Sequence, residues 1–260
     1  WRRCNNGRSQ PCHGVLRRYH QMGPVLNAIV GQRGGGMGEL QHGEAVVALA
    51  DAQRDGFTGV PFLLFGLLVV VTLPGLTGQE TAQLAVQAAL TGHLVLSTIH
   101  TNNAAGVVPR LIDMGVDPYL IAPTLKLALA QRLVRRICPG SGKKVSVANG
   151  IQKMVDDQFA DLPDEFRKVI PKSDHVLFVE PSPGCSSGTK GRVAVMEGIA
   201  VDNEIEQLIL KGGSEDEIQK VARKRGYISM HEDALMKALQ HTIPFEEVST
   251  LSGALLVSEE

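Results

Sequence analysis

The stretch ETAQLAVQAALTGHLVLSTIHTNNA, from Glu80 to Ala104, constrains this chain more than any other. Its first half carries small apolar residues at helical spacing, Ala82, Ala85, Ala88 and Ala89, which let a helix over residues 80–91 pack closely on a sheet. Gly92 follows where a left-handed helix cap is needed. An apolar strand then runs from Leu94 to Ile99, and His100, Thr101, Asn102 and Asn103 stand where it ends. In an open α/β sheet, loops at the carboxyl ends of strands present side chains and backbone donors to ligands, which makes these four residues candidate site residues. A buried strand followed by an ordinary polar loop fits the same spacing.

Composition narrows the partners. The 260 residues are 43% hydrophobic and 20% charged, with a formal net charge of -1, so no global field draws the chain to nucleic acid or to an anionic membrane. Aromatic residues are only 4% of the chain, which leaves few rings for stacking on bases, and no nucleic acid is expected. Cys4, Cys12, Cys138 and Cys185 are too few and too scattered for a secreted disulfide framework, which points to a reducing compartment. Arg2, Arg3, Arg17 and Arg18 have no apolar run directly behind them, so no signal peptide is read.

Residues 1–56 have no sustained period. Gly34, Gly35, Gly36 and Gly38 break any helix, and Glu44 to Ala52 is the only stretch fit for a helical turn or two. From Phe57 to Gln79 no residue is charged, so a membrane-spanning helix competes with a buried strand; Pro61, Pro74 and the β-branched Val69 to Val71 favour the strand. The chain opens on Trp1, which reads as a fragment or a partial reading frame.

Asp117 and Pro118 form a helix-start signal, and Leu120, Ile121, Leu125, Leu129 and Leu133 extend an apolar stripe that predicts a helix to about Arg136. Arg132, Arg135 and Arg136 would then sit at its negative dipole end. Beyond a loop after Cys138, helical spacing covers Ile151 to Phe159 and DLPDEFRKVI, while HVLFVE from His175 and GRVAVMEGI from Gly191 read as strands. Ser214 with Glu217 and Ser229 with Glu232 are two capping boxes. Pro244 opens a last short helix that turns Phe245, Val248 and Leu251 toward the core.

Taken together, TGHLVLSTIHTNNA and AQRLVRR, within the run from Glu80 to Cys138, closely resemble the hexameric secretion ATPases of type II secretion and type IV pilus assembly. The resemblance implies an α/β fold: the C-terminal part of a RecA-like P-loop ATPase core followed by a small helical subdomain. Residues 1–78 lie outside it as an irregular N-terminal region, 79–137 are a partial core, 138–192 an insert of loop and strands, and 193–260 a strand and helical subdomain. It further implies a motor using ATP and magnesium, a homo-oligomer, a hexamer in form, an inner-membrane platform protein as partner, and a cytoplasmic place at the inner membrane. By the same resemblance His100 senses the nucleotide, with His93 a weaker candidate beside the reading of an exposed residue after a cap. Thr101, Asn102 and Asn103 would lie near the nucleotide. Gln131, Arg132, Arg135 and Arg136 would transmit its state between subunits.

The chain also departs from that family's pattern. No Gly-Lys-Ser/Thr phosphate loop occurs: the glycine cluster GQRGGGMGEL lacks that ending, and GSGKK has Lys144 in place of the hydroxyl residue. The family's acidic motif, GEIRD, aligns with Pro74 to Gly78, so Gly75 stands where its glutamate belongs. Relatives bind zinc through two Cys-x-x-Cys pairs, whereas here Cys138 is followed three residues on by Ser141 and Cys185 by Gly188, so zinc is not expected. Two other readings therefore stay open. One is a non-catalytic oligomerisation or platform-binding remnant; the other is a frameshifted fragment of such an ATPase.

Overall fold

The structure, a computed structural model, describes residues 44–49, 70–72, 75–76, 78–147 and 150–252. The glycine cluster at 34–38, Cys4, Cys12, Pro61, Pro74 and residues 57–69 of the uncharged stretch lie outside them. In chain order the strands are β1 (Glu44–Leu49), β2 (Val70–Thr72), β3 (Leu94–His100), β4 (Leu125–Ile137), β5 (Lys143–Ser146), β6 (His175–Phe178) and β7 (Thr189–Ala200). The helices are α1 (Gln79–Leu90), α2 (Val107–Asp113), α3 (Pro118–Thr124), α4 (Gly150–Gln158), α5 (Asp164–Arg167), α6 (Asn203–Leu210), α7 (Glu215–Arg223), α8 (Met230–Leu239) and α9 (Glu246–Ser252). No described helix is long and apolar enough to cross a membrane.

Five strands form one sheet in the order β2-β3-β1-β4-β7, and β5 pairs with β6 in a separate ribbon. The parallel pair is β2 with β3, Val70 opposite Leu94 and Thr72 opposite Leu96. α1 joins them as the crossover that parallel pairing requires. It buries Ala82, Ala85, Val86 and Ala89, and Gly92, with φ 89, donates its amide to Ala89 O at 2.9 Å, as the helix–glycine–strand pattern predicts.

Glu44–Leu49 is a strand, where the sequence suggests a helical turn. Its backbone pairs antiparallel with β3 on one side and β4 on the other, Glu44 opposite His100 and Ala45 opposite Ala130. Six residues are too short for a stable isolated helix, whereas flanking strands on both sides give its backbone partners along most of its length.

The expected helix from Asp117 to Arg136 is also corrected. Asp117 does cap a helix, accepting from Tyr119 N at 2.8 Å, but that helix ends at Thr124 and the chain continues as β4. Leu125, Leu129 and Leu133 are four apart, a spacing that serves a helical stripe and equally one face of a strand. β7 decides between them by pairing with β4 from Leu127–Ala200 to Ile137–Thr189. Arg132, Arg135 and Arg136 are therefore strand residues, and the helix-dipole reading of them falls. Arg135 donates instead to the nearly buried carboxylate of Glu247, through Nε at 2.6 Å and through its backbone N at 3.0 Å.

Both capping boxes are present: Ser214 Oγ accepts from Glu217 N and Ser229 Oγ from Glu232 N, with each glutamate reaching back to its serine amide. Phe245, just ahead of the final helix, and Val248 within it are buried as expected, while Leu251 is only half-buried. α6 closes the set; its start is capped by Asp202, which accepts from Glu204 N and Ile205 N at 3.1 Å.

Three titrating groups give the fold a pH dependence. Desolvation, then the nearby His241 and Lys144 charges, push the His175 imidazole below its ordinary 6.5 against the opposing pull of Asp174. Its ring stacks on His241 with centroids 4.4 Å apart. Burial pushes His231 below 6.5 as well, against Glu232. The folded chain thus holds fewer protons than the unfolded chain once pH falls below 6.5, and stability present above that value declines as both imidazoles are forced to charge. Glu217 is held below its ordinary 4.5 by the Ser214 amide and hydroxyl, so its share is lost only below that pH. Urea midpoints are expected to fall in two stages, from pH 7 to 5.5 and again below pH 4.5; a flat profile from 7 to 5.5 counts against the histidine assignment.

Candidate functional site at the carboxyl ends of β2 and β3

Parallel pairing points the carboxyl ends of β2 and β3 to the same edge of the sheet, with Thr72 opposite Leu96, short of His100. Beyond β2, Leu76 N donates to Thr98 O at 2.6 Å, so Gly75 and Leu76 run along β3 just short of His100. His100 is exposed at the strand end, and the chain then turns through Thr101, Asn102 and Asn103 into α2. The structure thus gathers Gly75, Thr98 and His100 to Asn103 at one end of the sheet. His93 lies at the other end of β3, about 20 Å away by the rise of a strand. Its Nδ1 sits 3.1 Å from Ala88 O and 3.0 Å from Thr91 Oγ1, a position that closes the end of α1.

The loop after His100 is fixed from within and from outside. Thr101 Oγ1 donates to Asn103 O at 3.0 Å, and Gly106 N donates to Asn103 Oδ1 at 2.7 Å. The Asn103 amide also donates to Glu215 Oε1 in the first turn of α7. Ala104, only 1% exposed, donates its amide to Glu197 Oε1 at 2.7 Å. Glu197 is itself 4% exposed on β7, and its second oxygen accepts from Met230 N, the first residue of α8, at 3.0 Å. One buried carboxylate therefore joins the loop to the C-terminal helices. A buried amide without an acceptor costs about 1–3 kcal/mol, so both bonds matter to the position of the loop.

Sequence reasoning missed Glu197 and Glu215. Glu197 lies in an otherwise apolar strand run, VAVMEGIA, and a lone charge there is the signal that could have marked it. Glu215 carries no such mark, because an acidic residue in the first turn of a helix is ordinary.

A family model described as "Type II/IV secretion system protein" matches residues 70–250. The chain belongs to that secretion ATPase family. The type II secretion system protein E of Xanthomonas campestris is 37% identical to it over 185 residues, 69% of this chain and 30% of that protein. The type IV pilus assembly ATPase PilB of Thermus thermophilus is likewise 37% identical over 185 residues, which are 69% of this chain and 19% of the relative. The chain thus spans less than a third of the length of these two secretion ATPases. Among solved structures, the ATPase DotB of Yersinia pseudotuberculosis aligns with 71% of this chain and 37% of its own, at 17% identity and a TM-score of 0.46. The expected α/β class, a sheet with helices followed by C-terminal helices, is the fold observed, and β1 and β2, inside the region expected to be irregular, belong to its five-stranded sheet.

Family membership implies ATP and magnesium, and the described residues do not fit the metal. At Gly75, which the sequence resemblance sets opposite the glutamate of the acidic motif, a Cβ would stand 2.9 Å from Thr98 Oγ1 and 3.5 Å from Thr98 O. No carboxylate is present there, and the backbone lies too close to β3 for a side chain to enter without displacing Thr98. Gly75→Ala is expected to cost on the order of 1 kcal/mol in a chemical melt; a neutral result would mean that Thr98 rotates freely out of the way. Among the described residues no three His, Cys, Asp or Glu side chains are grouped to hold a metal.

Zinc fails a similar test. Cys138 and Cys185 are bonded to each other in the structure, a pairing the cysteine count did not suggest. Ser141 Oγ is occupied with Cys138 O and Gly188 O, at 3.1 and 3.3 Å. Gly188 has φ 67, and a Cβ there would lie 2.7 Å from Glu180 O. The second member of each Cys-x-x-Cys pair is thus missing as a ligand and, at position 188, sterically excluded.

The four candidate coupling residues lie on β4, with Gln131 opposite Met196, Arg132 opposite Val195 and Arg135 opposite Arg192 on β7. The observed partner of the Arg135 side chain is Glu247 of α9, so it is tied to the C-terminal helices rather than to the His100 loop.

Proposed function

We propose that this chain is a subunit, or the C-terminal portion of one, in an ATP-driven motor for type IV pilus assembly or type II protein secretion. It assembles with like chains into a ring, with a hexamer as its form, against a platform protein at the cytoplasmic face of the inner membrane. Family membership supports the process, and the double anchoring of the His100 loop by Glu197 and Glu215 supports the mechanical role. In this reading His100 is the sensor residue of the loop, Thr101, Asn102 and Asn103 shape its surroundings, and the two glutamates carry its position to α7 and α8. Gln131, Arg132, Arg135 and Arg136 belong to the strand that passes this position toward a neighbouring subunit.

The Gly75 contact favours a second reading for the chain as it stands, in which it makes these contacts without hydrolysing ATP. Two measurements separate the readings: light scattering of the purified chain across tens of micromolar, and binding of a fluorescent ATP analogue with and without magnesium. The motor reading predicts a ring-sized oligomer that binds the analogue with magnesium, and a ring-sized oligomer without such binding supports the second reading. A monomer at all concentrations sinks the ring, while magnesium-dependent binding shows that other residues replace the missing motifs and returns hydrolysis to this chain.

A further inference from the structure

We propose that Cys138 and Cys185 form a reversible thiol–disulfide clasp that locks the base of the segment between β4 and β7. The two residues are joined by a disulfide across a sequence separation of 47 residues, one just beyond the end of β4 and the other just ahead of β7. Everything from β5 to β6 lies between them. The inference is independent of the nucleotide reading above.

The backbone brings the sulfurs together by bonds of its own. Cys138 N donates to Gly188 O at 3.1 Å, Gly188 N donates to Cys185 O at 3.1 Å, and Cys185 N donates to Ser182 O at 2.9 Å. Ser141 Oγ, in a residue 9% exposed, donates toward Cys138 O and Gly188 O. Ile137 and Thr189 are already register partners at the end of the main sheet. None of these bonds needs the sulfur–sulfur bond, so the reduced pair remains adjacent and its closure is intramolecular.

The two cysteines differ in access. Cys138 is 3% exposed, whereas Cys185 is half-buried, so Cys185 meets an external disulfide first. Its Sγ lies 3.7 Å from Thr189 O, which gives the reduced thiol an acceptor. With glutathione disulfide as oxidant, the Cys185 thiolate attacks one glutathione sulfur and releases the other half as a thiolate. The Cys138 thiolate then attacks Cys185 Sγ in the mixed disulfide and releases the second glutathione thiolate. One protein disulfide and two glutathione thiols result; the two protons leave the protein thiols and end on glutathione. In a glutathione-reduced compartment the open dithiol is the resting state, and oxidation closes the clasp.

Closure acts on the C-terminal helices as well as on the insert. Ile137 N donates to Thr242 O at 3.2 Å, and Phe245 N donates to Leu177 O of β6 at 2.8 Å. Val179 N donates to Glu246 Oε1 at 2.9 Å. The insert and the α8–α9 junction are thus bonded at both of its sides, and tying the insert's base restrains the junction with it.

The test uses the full chain carrying C4S and C12S, equilibrated in buffers from fully reduced to fully oxidised glutathione. Alkylation and peptide mass analysis follow the pair; trypsin cleavage between residues 143 and 172 and the thermal melt follow the clasp. We expect a Cys138–Cys185 linked peptide to appear on oxidation, cleavage to slow, and Tm to rise by several degrees, up to about 10 °C for a closed loop of this size. Adding C185S or, if that variant folds poorly, C185A should abolish every redox-dependent change. Absence of the linked peptide at the most oxidising ratio overturns the proposal, as does a linked peptide with unchanged cleavage and Tm. So does stoichiometric zinc uptake by the reduced chain that C185S removes, because the pair would then be a metal site.

Discussion

Arg223→Ala is expected to lower folding stability by about 3–5 kcal/mol, the range for removing one partner of a buried ion pair. Arg223 is the last residue of α7, and its guanidinium meets Glu232 in a fork, Nη1 to Oε2 at 2.9 Å and Nη2 to Oε1 at 2.6 Å. The side chains are 12% and 4% exposed, so deletion of the cation leaves a carboxylate with little access to water. Nη1 also donates to Tyr227 O at 2.7 Å and Nη2 to Gln158 O at 3.2 Å, which ties α7 to the turn before α8 and to the end of α4. Desolvation, the largest influence, lowers the guanidinium pKa, but the hydrogen bonds Arg223 donates to Asp161 and Glu232 hold it above its ordinary value. The Asp161 bond contributes little, because that carboxylate is 70% exposed. In urea titrations Arg223→Lys should recover only part of the loss, since an ammonium cannot reproduce the fork. A deficit below about 1 kcal/mol for the alanine variant would mean that Glu232 finds solvent, and the buried-pair assignment would fail.

Glu197→Leu is the second large effect. The change keeps a side chain of similar bulk but strips acceptors from the amides of Ala104 and Met230, both on residues under 9% exposed. At about 1–3 kcal/mol for each of the two orphaned donors, a loss of about 2–6 kcal/mol follows. Glu197→Gln should fall between, since an amide offers one acceptor and turns an N–H donor toward the other amide. Amide hydrogen exchange supplies the sharper readout. In Glu197→Gln, protection should drop at Ala104 and Met230 together, ahead of the strand amides of β3 and β7. Loss at Met230 alone would show that Glu197 caps α8 without positioning the loop.

Much of this molecule was legible before any coordinates. The Ala-rich helix, its glycine cap, the strand to His100, both capping boxes and the family came from local signals, each confined to a turn or two of chain. Strand β4 was misread for a physical reason. Leucines four apart satisfy both a helical stripe and one face of a strand, and only the pairing with β7 and β1 breaks that tie. Glu44 to Leu49 was misjudged in the same way, because a strand so short draws its stability from two neighbours far along the chain.

The candidate site divides along the same line. His100, Thr101, Asn102 and Asn103 could be named from sequence because the end of a strand is a local event. Their anchors could not, since Ala104 and Glu197 are 93 residues apart and Asn103 and Glu215 are 112 apart. The cysteine pair belongs with them: no spacing rule selects Cys138 and Cys185 until β4 and β7 are laid side by side. What the sequence alone determined is the local order of helix, strand and loop, with the family those motifs carry. What only the tertiary structure decided is which distant carboxylates and thiols meet, because a polar group acquires its partner when burial removes water from the competition.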